Sequence, residues 1–312
     1  MVIGGSTASG KSALALALAE ATEGAVVNAD SQQLFADLPI LTARPAPAEE
    51  MRAPHWLYGV LAADEQPSVG RWLALVEAVL ARCGAAGRPA IVTGGTGLYL
   101  HALLHGMPAM PDVPDDLRAS LRRWAATVPA SAIHARLAAR DPTMAARLRP
   151  TDTQRLLRAL EVIEATGRSL AHWQEQPREK LTLPPCRLAV ALVPPAGLVN
   201  PRIEARLDAM LASGALEEVA RLLALRPEAT RLPIAKVHGL RELAAVVRGE
   251  STLAAARASI ALQVRQYAKR QRTWFRHQLP ELEPLPALGD DPALAHELLN
   301  RLSSSGRRRS GS

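Results

Sequence analysis

The sequence predicts an α/β fold, a parallel sheet flanked by helices with a small all-helical subdomain inserted, and three observations carry that prediction. Met1-Val2-Ile3 is an apolar stub that runs into the glycine-bearing loop Gly4 to Gly10 and then the Ala/Leu-rich stretch Ser12 to Thr22. This is strand, loop and helix in succession. Two further apolar runs, Ala25 to Asn28 and Pro89 to Thr93, are separated by the helical periodicity of Val69 to Ala86, so strands alternate with helices as parallel pairing requires. The prolines between Pro108 and Pro114 then break regular structure, and the charged, strand-poor segment up to about Pro150 reads as helical.

Arg187 to Val193 reads as another strand, and Asn200-Pro201 as the cap and first turn of a helix running to about Leu225. Ala254 to His277 is the last long helix. Pro280, Pro284 and Pro286 end the regularity, and the Ser/Gly/Arg-rich tail Ser303 to Ser312 is expected to be disordered. The expected domains are a core of residues 1–112 and 150–280, a helical insertion at 113–149 and an extension from 281 onward.

With 312 residues, a core can form without disulfides or metals. The hydrophobic fraction is ordinary at 48%, but aromatics are only 3%, so Leu, Ala and Val must fill the interior. Only four of the 37 basic residues are lysines (Lys11, Lys180, Lys236, Lys269), and the net charge is +7. Arginine forks suit phosphates, so a polyanionic partner fits, although a GC-rich genome would give the same Ala-, Arg- and Pro-rich bias. Cys83 and Cys186 lie in no metal-ligand or C-x-x-C spacing, which predicts reduced thiols and a cytoplasmic setting. No run of about 18 apolar residues or charged leader points to a membrane or to export.

The segment Gly5, Ser6, Thr7, Ala8, Ser9, Gly10, Lys11, Ser12 satisfies G-x-x-x-x-G-K-[ST]. In that pattern backbone amides cradle phosphates, the lysine adds charge and the Ser12 hydroxyl is placed for Mg2+. A P-loop NTPase-like sheet is therefore expected. An ATPase or GTPase also needs an acid at the end of an apolar strand, whereas Ala90 to Thr93 runs into Gly94-Gly95-Thr96-Gly97. The carboxylate that does end a strand is Asp30, in Asn28-Ala29-Asp30-Ser31-Gln32-Gln33. It suits a magnesium ligand or general base, or a cap of the next turn.

Arg265, Lys269, Arg272 and Arg276 recur at intervals of 4, 3 and 4, one stripe of a helix, beside Trp274 and Phe275. Such a stripe suits a nucleic-acid backbone with bases stacking on the aromatics, or a solvated face over core aromatics. Thr151 with Gln154 resembles a capping box ahead of Arg155 and Arg158, and Arg202 and Arg206 form a second pair. Glu161 and Glu204 are the expected partners if these arginines are only surface ion pairs.

Six stretches in order resemble the bacterial tRNA dimethylallyltransferase family, over residues 1 to about 280. They are G-S-T-A-S-G-K-S at 5–12, N-A-D-S-Q-Q at 28–33, G-G-T-G-L-Y at 94–99, D-P-T-M-A-A-R-L-R-P-T-D-T-Q-R-L-L-R-A-L-E-V at 141–162, N-P-R-I-E-A-R-L-D-A-M-L at 200–211 and V-R-Q-Y-A-K-R-Q-R-T-W-F-R at 264–276. The resemblance implies transfer of a dimethylallyl group from its diphosphate to the exocyclic amine of the adenine 3′ of the anticodon, in tRNAs reading codons that start with U. It further implies that the loop, with Arg202 and Arg206, holds the diphosphate, that Asp30 is the base and that Thr96 contacts the target nucleotide. Contacts to the tRNA anticodon stem-loop would come from Asp30, Ser31, Gln32, Gln33 and Arg118, from Gln154, Arg155, Leu156, Leu157 and Arg158, from the stretch Lys236 to Arg241, and from the stretch Val264 to Gln271, with Arg265, Lys269 and Arg272. Mg2+ and a monomeric state are expected with them.

The chain departs from the family pattern at Ser6, where proline is usual, at Phe35-Ala36, at Leu41 in place of a glycine, and at Leu240 in place of a tyrosine. None of these removes a proposed catalytic group. Competing readings are a P-loop kinase or NTPase, an RNA-binding NTP sensor without chemistry, and a prenyltransferase acting on free adenine nucleotides.

Overall fold

The structure is a computed structural model that describes residues 1–183 and 185–307, with side chains given through Ser304. It divides into two compact units, residues 1–104 with 182–312 and residues 105–181. The larger unit opens with β1 (Val2–Gly5), whose apolar residues are buried, and α1 (Lys11–Thr22). β2 (Ala25–Asn28), the short α2 (Pro47–Glu50), β3 (His55–Trp56), α3 (Val69–Ala85), β4 (Ala90–Gly94) and α4 (Gly97–His105) follow.

In the smaller unit, β5 (Met107–Pro108) pairs antiparallel with β6 (Arg178–Glu179). Between them lie α5 (Asp115–Ala125), α6 (Ala130–Arg140), α7 (Pro142–Arg147), α8 (Thr153–Thr166) and α9 (Leu170–Gln174). Its own core includes Ile133, Leu137, Leu156 and Leu160. The insertion is thus longer than the expected 113–149, because α8 and α9 bury their apolar faces against α5 to α7 instead of the sheet. The cap of α8 is Asp152, whose carboxylate accepts from the Arg155 amide at 3.3 Å, and not Thr151.

The larger unit resumes with β7 (Ala189–Leu192), α10 (Ala196–Ala212), α11 (Ala215–Leu225), two 3-10 turns (Ala229–Arg231 and Pro233–Lys236), α12 (Leu240–Val247), α13 (Leu253–Gln278), β8 (Glu283–Leu285) and α14 (Pro292–Arg307). α10 starts at Ala196, four residues before the expected cap, so Pro201 lies inside it and forfeits one helical hydrogen bond.

The strand order is β3-β2-β4-β1-β7-β8, and every pairing is parallel. Parallel strands must be covered on both faces. Ile3, Val26, Ile91 and Val190 pack with Leu14, Leu18 and α14's Leu294 and Leu298 in one cluster. The expected extension is therefore part of the core: β8 completes the sheet edge and α14 covers α1. α14 carries the 303–307 portion of the expected disordered tail, and the remainder lies outside the described residues. No helix among the described residues is long and apolar enough to cross a membrane.

Candidate active site

Ligand sites in open parallel sheets gather at the carboxyl ends of the strands, and the sequence places chemistry at three adjacent ones. β1 ends in the glycine loop, β2 in Asp30 and β4 in Thr96. Gly10 caps α1 at φ +85°, and a Cβ there would stand 2.7 Å from the Gly289 amide nitrogen. Glycine is required on both counts. Gly289 in turn donates to the Ser9 carbonyl at 2.8 Å, so the segment after β8 braces the loop. The first amides of α1 have no partners within the helix and form an anion site at its positive end.

Lys11 is buried, with Nζ 3.4 Å from the Ser6 carbonyl. Burial brings its ammonium down to about 8, against the pull of Asp30, with Arg206 lowering it further. The Arg206 guanidinium reaches the Thr7 hydroxyl at 3.3 Å and is itself pushed down by burial, Asp30 opposing. Arg202 is occupied differently, paired with Asp290 at 2.8 Å. Both arginines line a cleft beside Gly10, Lys11 and Ser12, and Arg206 also lines the cavity that holds Asp30.

Asp30 follows Asn28, a fully buried side chain whose amide spans the Asp30 and Leu57 carbonyls at 3.0 and 2.9 Å and accepts from the Asp30 amide at 2.8 Å. The Asp30 Oδ1 accepts from Gln32 at 3.1 Å, while Oδ2 faces Gly95, 3.4 Å from where a Cβ there would stand. One carboxylate thus both caps the turn and lines the cavity. The Thr96 hydroxyl accepts from the Ser31 amide at 2.9 Å and also engages Tyr267, whose phenol is pushed up chiefly by burial and next by Asp30.

These loops are tied together by Gln271 of α13. Its Oε1 accepts from Thr7 N at 2.8 Å, and its Nε2 donates to the Gly95 carbonyl at 2.9 Å. Sequence reasoning did not single out this contact. The available signal was a lone amide on the buried stripe Val264, Ala268, Gln271, Phe275. His238, expected only as part of a tRNA-facing stretch, lines the cavity, its ring 4.8 Å from that of Tyr267, and burial lowers its imidazole against the pull of Asp30.

Gln32 and Gln33 line the cavity, each with part of its side chain held by the fold. Gln32 accepts from the His238 amide at 3.0 Å, and Gln33 donates to the Thr42 and Ala43 carbonyls at 3.1 and 2.7 Å. On α13, Lys269 and Arg276 are exposed, Arg265 pairs with Glu204, and Arg272 is half-buried with Nη1 sealed from solvent. The neighbouring aromatics are packing groups, not stacking platforms. Phe275 lies over Gly4, and the Trp274 ring passes where any side chain on Gly97 would stand. Lys236 and Arg241 are exposed on the same unit.

In the smaller unit, Gln154 and Arg155 are exposed, Leu157 is partly buried and Leu156 is fully buried. Leu156 is a core residue with no surface to offer RNA. Arg118, Arg122 and Arg158 converge on the buried Glu161 at 4.0, 3.7 and 3.6 Å, and Arg118 also pairs with Asp115 at 2.6 Å, so three guanidiniums face two carboxylates. Among the described residues no cluster of three or more His, Cys, Asp or Glu could cage a metal.

The cavity is lined by the polar Thr7, Lys11, Ser12 and Arg206 and by the apolar Leu41, Ile203, Leu207, Met210, Ile260 and Val264. A phosphate loop opening into such a cleft, with the Asp30 carboxylate in its lining, defines an α/β enzyme of the phosphate-loop class. The IPP transferase family model matches residues 33–278, and the chain belongs to that family. It is 48% identical over 281 residues to the tRNA dimethylallyltransferase of Azorhizobium caulinodans, covering 90% of each chain. With the enzyme of the same name from Nitrobacter hamburgensis the identity is 51% over 286 residues, covering 90% of this chain and 88% of the relative. Among solved structures it resembles the full-length tRNA isopentenylpyrophosphate transferase of Bacillus halodurans (TM-score 0.68, 26% identity, 99% and 98% of the two chains). It also resembles a eukaryotic dimethylallyltransferase acting on tRNA (TM-score 0.73, 26% identity, 91% of this chain and 72% of the other).

Proposed function

We propose that the protein transfers the dimethylallyl group of dimethylallyl diphosphate to the N6 amine of the adenine 3′ of the anticodon, in tRNAs that read codons starting with U. The cavity carries this reading: its charged lining suits a diphosphate, its apolar lining a branched hydrocarbon, and Asp30 lies in the same cavity. In the reaction the C1–O bond to the diphosphate breaks as a bond from N6 to C1 forms, and the N6 proton passes to the Asp30 carboxylate. An adenine amine is a weak nucleophile because its lone pair enters the ring, so proton removal in the transition state is worth about 10²–10⁴ in rate. Charge developing on the leaving diphosphate is met by the α1 amides, Lys11 and Arg206, groups fixed beforehand.

The donor set fits a divalent cation, here Mg2+. Ser12 offers a hard hydroxyl oxygen at the cavity, and diphosphate oxygens and water complete such a coordination, as this ion prefers. When bound, the ion supplies further neutralisation of the leaving group. For the acceptor, extruding a base from the anticodon loop costs a few kcal/mol, about the price of unstacking it. Exposed Lys269, Arg276, Lys236 and Arg241 on one unit, and Arg155 and the Glu161 arginine cluster on the other, suit tRNA phosphates. A monomer in the cytoplasm completes the proposal.

Labelled dimethylallyl diphosphate offered with tRNA or with AMP tests the acceptor. Label entering tRNA, and not AMP, is expected. Label entering AMP alone returns the chain to the free-nucleotide prenyltransferases.

A further inference from the structure

We propose that Leu41, held by the buried carboxylate of Glu218, is the chain-length stop of the donor cavity, limiting the site to a five-carbon allylic diphosphate. The inference rests on reading the cavity as a prenyl diphosphate site. Two of its apolar walls are helical stripes, Ile203, Leu207 and Met210 on α10 and Ile260 and Val264 on α13. These helices share a small cluster through Val199, Ile203 and Ala268, so neither wall can retreat alone.

The remaining apolar wall is not helical. It is Leu41, in the loop after Asp30, yet only 6% exposed. Its Cδ1 and that of Ile260 both lie 3.2 Å from where a Cβ on Gly239 would stand, so the two side chains meet over that glycine. A loop side chain makes a poor wall unless its backbone is fixed, and here it is fixed from two sides. Glu218 Oε1 accepts from the Ile40 amide at 2.8 Å and Oε2 from the Leu41 amide at 2.9 Å. On the other side Gln33 holds the Thr42 and Ala43 carbonyls, and the Thr42 hydroxyl donates to the Leu38 carbonyl at 2.7 Å.

Burying a carboxylate is costly unless its hydrogen bonds return the loss, and Glu218 spends both oxygens on two main-chain amides beside the cavity wall. Positioning Leu41 is what that arrangement achieves. Leu41 shares the cavity lining with the two helical stripes, so on this proposal a second isoprene unit meets its side chain, and even one surplus methylene at a closed apolar wall is worth about 10–200-fold in specificity.

The test measures kcat/KM for dimethylallyl and geranyl diphosphate at saturating tRNA, in the wild type, Leu41→Ala, Leu41→Phe, Glu218→Gln and Met210→Ala. Leu41→Ala should raise the geranyl-to-dimethylallyl ratio about tenfold or more. Glu218→Gln, which leaves one amide facing an NH2 group, should move the ratio the same way. Leu41→Phe should depress dimethylallyl transfer while tRNA affinity holds, a separation that general misfolding would not give. An unchanged ratio in Leu41→Ala, or a ratio that rises only in Met210→Ala, overturns the proposal. Wild-type protein that transfers neither donor to tRNA would instead overturn the functional reading beneath it.

Discussion

The two oxygens of the Asp30 carboxylate have separate tasks: Oδ1 holds the turn through Gln32, and Oδ2 is directed toward Gly95. Asp30→Asn keeps an acceptor for the Gln32 amide but removes the base. Its kcat should fall by about 10²–10⁴ while tRNA affinity and melting temperature stay close to wild type, measured by single-turnover transfer and by filter binding. Lys11 gives a pH test. Its ammonium titrates near 8 because it is buried, and a diphosphate binds the protonated form. Donor affinity should therefore fall as pH rises through 8, approaching about tenfold per pH unit. Folding has its own sign: the unfolded lysine holds its proton to 10.5, so Lys11 adds stability as pH climbs from about 8 toward 10.5. Asp30 and the loop were legible in the sequence because strand ends and glycine spacing mark them. Glu218 and the place of His238 in the cavity were not, since each reaches the site from a distant helix or turn through contacts no local pattern records.

α13 shows what periodicity reveals and what it hides. The spacing of Arg265, Lys269, Arg272 and Arg276 correctly gave a helix and a shared stripe, but not which members are spent on Glu204 or sealed from solvent. The same helix delivers Gln271 to two loops at once. Gln271→Leu leaves the Thr7 amide and the Gly95 carbonyl unpaired, and denaturant unfolding should show a loss of about 1–3 kcal/mol per orphaned group. Donor KM should rise with it, because the phosphate loop loses its tie to the Thr96 turn. The strands of the sheet were readable from short apolar runs. β8 was not, because Glu283-Pro284-Leu285 has a strand's geometry without its composition, and only a sheet-edge position tolerates the proline. The helical insertion was similarly underestimated, since α8 is amphipathic in either setting and only packing reveals which core it joins.

Across the whole molecule, a net charge of +7 and the exposed Lys and Arg positions predict tRNA binding that weakens steeply as salt rises. Lys269→Ala should reduce the slope of log affinity against log salt by about one, whereas Arg265→Ala, already paired with Glu204, should change it less. Equal effects would mean that exposure does not select the contacts. The phosphate loop, on the proposed function, holds a leaving group and not a nucleotide fuel. This is tested most directly by one turnover with dimethylallyl diphosphate labelled in both the prenyl carbon and the phosphates, with magnesium, tRNA and no ATP. The expected result is prenylated adenosine in the tRNA and intact diphosphate in solution, in equal amounts. Transfer that requires ATP, or phosphate cleaved from the donor while the tRNA stays unlabelled, would contradict it.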